Sequence, residues 1–425
     1  MSLDRGSNPR PCPYQGHALP TELSRRDIRI ISKLLELRKM IIRFLKAIVL
    51  FLVITFLALN SGEKSAVLAQ SKNPFGLMIG APNITLTQRI ALVKDLGAVY
   101  FRANSVFMDK WNGNCSECEA AISEGIGLIL TIRNNGGLGQ PTTPPTDYNV
   151  FRQTLAEILD KYPPELLVVE NEENSAALFY DGTPQEYLQE LSVACEVAHS
   201  KAIKCTNGGL VSMLVTGLVA NHYFEQGDPA KAEEYLLRAL SPEEYQQYQN
   251  MSQELKLEQL NKGKTLLAGY KTSGADYVNF HWYNADTPAL EEAVDYLQAT
   301  TGLTAVTNEI GQHNEDPLQV TNVMGKIVDL GIPYAVWFSV DSNKARALID
   351  TNGNLRPNGE AFKKFIEGLF IKGDIDKDGD IDIFDYNLMI TDFGKTEPSP
   401  ADLDVDGDVD IFDYNILIEN FGKKI

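Results

Sequence analysis

Positive charge is what this chain is short of. Against 57 Asp and Glu, its 425 residues carry 38 Lys and Arg, a formal net charge of −19. A phosphate backbone is bound by clustered cations, so nucleic acid is excluded as a partner. Cysteine is scarce too. Five occur, and four lie beyond residue 69: Cys115, Cys118, Cys195 and Cys205. No second ligand pair at metal spacing accompanies Cys115 and Cys118, which argues against zinc. Two disulfides in an oxidising compartment, or free buried thiols, both remain open.

Long apolar runs are limited to Ala47–Leu59, preceded by the basic stretch Met40–Lys46. With Val67-Leu68-Ala69 as a cleavage site before Gln70, residues 40–69 read as a secretory signal. The alternative is a membrane anchor at 40–59 if the signal stays uncleaved. Residues 1–39 show prolines and a basic cluster but no fold pattern, and Met40 is read as the start. A secreted or cell-surface protein is expected. Residues 70–370 are long enough for one large core, and 371–425 form a separate small module.

That module takes up much of the acidity. From Asp374 to Ile425 there are 15 acidic and 4 basic side chains. One twelve-residue pattern occurs twice, 28 positions apart: Asp374, Asp376, Asp378, Gly379, Asp380, Asp382 and Asp385, then Asp402, Asp404, Asp406, Gly407, Asp408, Asp410 and Asp413. Oxygen ligands at loop positions 1, 3, 5 and 12, a backbone carbonyl at 7, a water-mediated ligand at 9 and a turn glycine at 6 suit Ca2+. Two structural calcium sites are expected, and no cofactor for catalysis.

Each loop runs into the same apolar helix, Ile383-Phe384-Asp385-Tyr386-Asn387 and Ile411-Phe412-Asp413-Tyr414-Asn415, with poor helix formers before it. This resembles the dockerin domain, and the resemblance implies attachment of an extracellular enzyme to a cohesin-like or cell-surface partner. Loop positions 10 and 11, small hydroxyl residues in many dockerins, are Ile-Phe here. Those apolar pairs either form the partner surface or pack the two units together, packing being the favoured reading.

Between 70 and 370, short β-branched runs alternate with amphipathic helical stretches. Eight strands are expected at Phe75–Ala81, Val99–Ser105, Leu128–Asn134, Leu166–Asn171, Lys204–Gly208, Tyr277–Tyr283, Thr304–Glu309 and Tyr334–Val340, with extra helices in the long interval Val211–Ala275. The fold class is α/β, a (β/α)8 TIM barrel with a small C-terminal all-α calcium-binding domain. The active site of such a barrel lies at the carboxyl ends of its strands.

Asn171-Glu172 and Asn308-Glu309 stand at the ends of the fourth and seventh strands. Two carboxyl groups at one mouth are what glycosidic cleavage needs, one to protonate the leaving oxygen and one to attack the sugar or activate water. By the period of two, Asn279, His281 and Tyr283 share one face of the sixth strand, and Ala335, Trp337 and Ser339 one face of the eighth. If those faces point inward, polar groups and an aromatic platform reach the mouth. Arg102, ending the second strand, is placed to lower the pKa of a carboxylate nearby.

These motifs resemble the retaining glycoside hydrolases of clan A. The resemblance implies Glu172 as acid/base, Glu309 as nucleophile and Asn171 as ligand of the sugar 2-hydroxyl. It further implies Tyr283, in His281-Trp282-Tyr283, bonded to the nucleophile, Trp337 beneath the sugar and Arg102 beside the nucleophile. The third strand departs from the cellulase-like branch, with Ile132-Arg133-Asn134-Asn135 where a histidine is common. The expected function is a secreted retaining hydrolase of β-linked glycans. The alternative is a non-catalytic carbohydrate-binding or scaffold barrel with a calcium-dependent adhesion module.

Overall fold

A computed structural model describes residues 73–137, 140–369, 373–376, 380–396, 399–404 and 406–423. The signal or anchor reading of 40–69, the extension 1–39 and the ligand Asp378 lie outside these residues. Among the described residues, no helix is long and apolar enough to cross a membrane.

Nine parallel strands form one sheet: β1 Phe75–Ile79, β2 Tyr100–Arg102, β3 Val106–Phe107, β4 Gly127–Arg133, β5 Leu166–Val169, β6 Lys204–Asn207, β7 Tyr277–Trp282, β8 Thr304–Ile310 and β9 Ala335–Ser339. β1 pairs with both β2 and β9, and β2 also pairs with β4, so eight strands close into a ring. β3 is a two-residue addition on β4. All eight expected barrel strands are present. β5, β7, β8 and β9 are therefore the fourth, sixth, seventh and eighth of the ring.

The barrel interior is filled by Tyr100, Ile129, Leu166, Val168, Val306 and Val336. Their strand neighbours, among them Leu77, Leu167, Phe280 and Trp337, pack in a second, larger core with the helices. Burial on both faces makes these strands continuously apolar. Helices α1 Leu86–Asp95, α2 Ser116–Ser123, α3 Tyr148–Lys161, α4 Pro184–His199, α5 Ser212–Glu225, α6 Pro229–Ala239, α7 Pro242–Asn250, α8 Gln253–Tyr270, α9 Thr287–Thr301, α10 Pro317–Asp329 and α11 Pro357–Leu369 follow in order. Capping is explicit in the sequence: Thr85, Thr183 and Ser241 each form a reciprocal box with the residue three positions on. α5 to α8 account for the long interval between the fifth and sixth barrel strands. Both cysteine pairs are joined, Cys115 to Cys118 and Cys195 to Cys205.

The C-terminal module has a small core of its own: Ile375, Ile381, Met389, Ala401, Val409 and Leu417. Its helices, α12 Ile383–Asp392 and α13 Ile411–Asn420, lean on each other through Tyr386 and Tyr414, whose ring centroids are 6.3 Å apart. The repeat is visible in the backbone. Gly394 N donates to Val409 O and Gly422 N to Ile381 O, each at 2.7 Å, so each half completes the other. Ile383, Phe384, Ile411 and Phe412 take no part in this core and are 52–62% exposed. That corrects the favoured sequence reading of these residues: Tyr386, Met389 and their repeats, one turn further along each helix, join the halves instead.

Candidate active site

The site is assembled where β2, β5, β7 and β8 end. On β7, Tyr277 faces the barrel interior while Val278, Phe280 and Trp282 join the outer core, so Asn279 and His281 point inward as expected. β8 is irregular: its pairing shifts between Asn279 and His281 on one side and between Thr307 and Ile310 on the other. A local bulge lets adjacent Asn308 and Glu309 both reach the mouth, which a regular strand forbids. β5 ends at Val169, and the chain then turns through two left-handed residues, Glu170 (φ 65°) and Glu172 (φ 47°). A non-glycine residue held there costs on the order of 1–3 kcal/mol, a strain typical of functional corners.

His281 is completely buried between the two candidate carboxylates. Its Nδ1 is 2.8 Å from Glu172 Oε1 and 3.9 Å from Glu309 Oε2. Its Nε2 is 3.0 Å from Asn308 Oδ1, an oxygen that already accepts from Asn279 Nδ2 at 2.8 Å. The Nε2 contact therefore needs a proton on Nε2, which leaves Nδ1 to exchange a proton with Glu172. One oxygen from each carboxylate and a ring nitrogen of His281 all lie within 4.8 Å of one another.

Arg102 ties the strand ends together. Its Nη1 donates to Glu309 Oε2 and to Asn308 O, both at 2.8 Å, and its Nη2 to Asn171 Oδ1 at 2.7 Å. The Tyr283 hydroxyl donates to Glu309 Oε1. Burial pushes the Glu309 carboxyl up, but His281, Arg102 and Tyr283 outweigh it and hold the group below the usual range. For His281, burial pulls the imidazolium down, yet Glu309 and Glu172 prevail and raise its pKa. Burial and Glu309 push the Tyr283 phenol well above its ordinary value, keeping it a donor. The same three groups could in principle meet a metal ion, but the Arg102 guanidinium beside Glu309 opposes a second cation.

Glu170 and Glu173 turn away from the mouth. Glu170, two residues before Glu172 and on its face by the strand period of two, instead accepts from Asn134 N at 2.7 Å and Thr142 Oγ1 at 2.5 Å, with Arg133 Nε at 3.4 Å. The left-handed turn explains the departure, because the alternation of faces ends with the strand. Burial pushes the Glu170 carboxyl up to about 7, and its neighbour Glu190 on α4 is pushed well above its ordinary value by burial and by Glu170. Glu173 accepts from Tyr270 at 2.5 Å and Asn207 Nδ2 at 2.8 Å. Asn207 in turn bonds Asn279, so a buried amide chain runs from Glu173 to His281.

Trp337 is not brought to this group. It packs among the helices, its ring edge-on to Phe362 at 5.9 Å, because Val336 is the residue of β9 that faces the interior. The next inward position, Phe338, lies 6.1 Å from Tyr283 and stands where Trp337 was expected. Sequence reasoning missed Phe338 and the role of Asn308 as the acceptor that holds His281.

In the module, carboxylate oxygens of Asp374, Asp376 and Asp385 lie within 4.8 Å of one another, as do those of Asp402, Asp404 and Asp413. Asp385 and Asp413 are fully buried and accept three backbone amides each: Ile375, Asp376 and Asp382, then Leu403, Asp404 and Asp410. Asp382 and Asp410 cap α12 and α13 through Phe384 N and Phe412 N at 2.7 Å. Asp406 and Asp408 sit in the second loop with their amides on Asp402, Asp404 and Asp406. Asp380 opens the last stretch of the first loop. The oxygen-only donor set fits a hard cation.

No family model matches the chain, and no curated protein matches it. Among solved structures, it is similar to a glucosidase from Croceicoccus marinus, with TM-score 0.48 and 11% identity over 69% of this chain and 65% of that one. It is also similar to a GH39 β-xylosidase from Caulobacter crescentus, with TM-score 0.46 and 14% identity over 69% and 71%. A third is a GH128 subgroup VII oligosaccharide-binding protein from Trichoderma gamsii, with TM-score 0.41 and 15% identity over 71% and 96%. The chain thus spans just under two thirds of the glucosidase. At such identities these likenesses say nothing of substrate.

Proposed function

We propose that the barrel is a retaining glycosidase acting on β-linked glycans, secreted and tethered through its calcium-binding module. One observation carries this reading: Glu172 and Glu309 meet at the mouth, one oxygen of each lying within 4.8 Å of the other, which favours the shorter of two known spacings. Retaining enzymes place their two carboxyl groups about 5–5.5 Å apart, and inverting ones about 6.5–9.5 Å. The charge around Glu309 supports it as the nucleophile. Glu309, kept ionised by Arg102 and His281, attacks the anomeric carbon, while the Glu172 proton passes to the glycosidic oxygen and the aglycone leaves. Glu172 then takes a proton from water, which displaces Glu309 from the sugar. Asn171, its oxygen held by Arg102, has its amide hydrogens to offer the 2-hydroxyl, and Phe338 replaces Trp337 as the aromatic surface nearby.

The aspartate triads Asp374, Asp376, Asp385 and Asp402, Asp404, Asp413 are the natural seats of two Ca2+ ions. The exposed pairs Ile383-Phe384 and Ile411-Phe412 support attachment to a cohesin-like or cell-surface partner. Two disulfides fit an oxidising, extracellular setting. The test is a panel of β-glucosides, β-xylosides and β-mannosides with the first-formed anomer followed by proton NMR. A β-anomer supports the mechanism and an α-anomer overturns it. Glycan binding without turnover favours the carbohydrate-binding alternative.

A further inference from the structure

The helices inserted between β6 and β7 enclose a cavity of about 350 Å3, within the size range of small-molecule sites. Resting on the glycosidase reading, we propose that this cavity receives the leaving group and that it selects an apolar, alkyl or aryl aglycone rather than a second sugar.

Position comes first. Ser175, in one wall, donates its N–H to Glu172 O at 2.8 Å, so the turn after the candidate acid folds straight into the cavity. Asn174 Oδ1 accepts from Val211 N at 3.1 Å, and Leu210 O, one residue earlier, accepts from His281 N at 2.8 Å. The walls are thus one tie away from Glu172 and from the histidine that exchanges its proton. Neither Arg102 nor Tyr283, the partners of Glu309, lines this space. The group beside the acid is the one that departs with the glycosidic oxygen.

Chemistry comes second. Met213 and Leu214 of α5, Tyr248 of α7, Met251, and Leu255 and Leu260 of α8 form the apolar part of the lining, and Asn174, Ser175, Lys256 and Gln259 its polar part. A sugar ring presents hydroxyls on all sides, and the apolar side chains return almost no hydrogen bonds. Lys256, the cation on the rim, lies 4.7 Å over the Tyr248 ring. The two methionines allow the walls to adapt to more than one apolar shape. Gly217 of α5 leaves the space open, since a Cβ there would meet Tyr248 at an ordinary 3.4 Å.

The experiment compares methyl and n-hexyl β-glycosides of whichever sugar is cleaved, because the two alcohols leave almost equally well and differ only in apolar surface. The hexyl compound should have at least tenfold higher kcat/KM. Gly217→Leu, which fills the cavity, and Leu255→Asp, which makes its rim polar, should bring that ratio toward one and leave the methyl compound unchanged. Leu255 is 41% exposed, so its variant stays informative if the Gly217 variant does not fold. Calorimetric titration with 2-naphthol, expected to bind the native chain and not Gly217→Leu, reads the cavity without turnover. A hexyl-to-methyl ratio near one in the native chain, or one unchanged in both variants, overturns the inference and leaves the glycosidase reading standing. Naphthol binding with no turnover of any glycoside overturns the glycosidase reading, and the aglycone role with it.

Discussion

The barrel mouth and the C-terminal module both crowd carboxylates into a small volume, and they differ in where the compensating charge comes from. At the mouth it is covalently part of the chain: Arg102, His281 and the Tyr283 hydroxyl converge on Glu309 from β2 and β7. In the module Asp385 and Asp413 are answered by three backbone amides each, and Asp402, Asp404 and Asp406 by amides of their own loop. The segment from Asp374 to Ile425 contains neither arginine nor histidine. A site that carries its own cation is ready at all times. One that borrows a cation is conditional on its surroundings.

The largest expected effect is at the mouth. Glu309→Ala should remove all detectable turnover, and azide should restore part of it on an activated aryl glycoside by occupying the vacated position. Product formed in azide should have inverted configuration by NMR. Near-normal activity without azide would remove Glu309 from the chemistry.

The module should respond as completely, but to solvent composition. Chelation should unfold residues 374–421 and leave the barrel active on a soluble substrate, because ligand binding and folding are coupled where the site does not preform. Limited proteolysis with and without calcium, on the native chain and on Asp374→Ala combined with Asp402→Ala, reads this directly. Equal resistance in all four samples would contradict the borrowed cation.

Glu172→Ala is expected to be graded. Substrates with poor leaving groups should slow by about 10²–10⁴-fold, the usual worth of a positioned acid, and those with good leaving groups much less. Steady-state kinetics over a leaving-group series gives the slope, and a flat series would make Glu172 structural.

The smallest effect concerns a carboxyl that neither site uses. Glu170 is pushed by burial to about 7 from 4.5, so between those values the folded chain keeps a proton that the unfolded chain gives up. Its stabilising contribution is complete below about pH 4.5 and is lost as pH rises through about 7. Glu170→Gln should flatten this part of the Tm profile by several degrees between pH 5 and pH 8. Identical slopes by calorimetry would refute the assignment.

The ring and the module were legible because their signals repeat. β-branched runs recur eight times at helical spacing, and the acidic loop recurs with the same glycine. His281 and Tyr283 were legible because Asn279, His281 and Tyr283 are polar on alternate positions of an otherwise apolar strand. Trp337 was misplaced because β9 is apolar on both faces, and a period of two shows which residues share a face but not which face is inside. The fate of Glu170 was hidden for another reason. Its neighbours Asn134, Thr142 and Arg133 come from distant sequence, and only the left-handed corner after Val169 turns it toward them. Likewise, the bulge that admits both Asn308 and Glu309 leaves no mark in composition.

Closure of the ring has a consequence for how the chain is made. Phe75 of the first strand pairs with Ala335 of the last, so an emerging polypeptide holds unpaired strand edges from its first barrel residues until Ser339 has left the ribosome. During that interval β1 and whichever strand was made last can each recruit a stranger's backbone. A truncation anywhere before β9 makes the hazard permanent. Even one that spares Arg102, Glu172, His281 and Glu309 should yield an aggregating product rather than a weak catalyst, and the burden of preventing this falls on whatever accompanies the chain before it is complete.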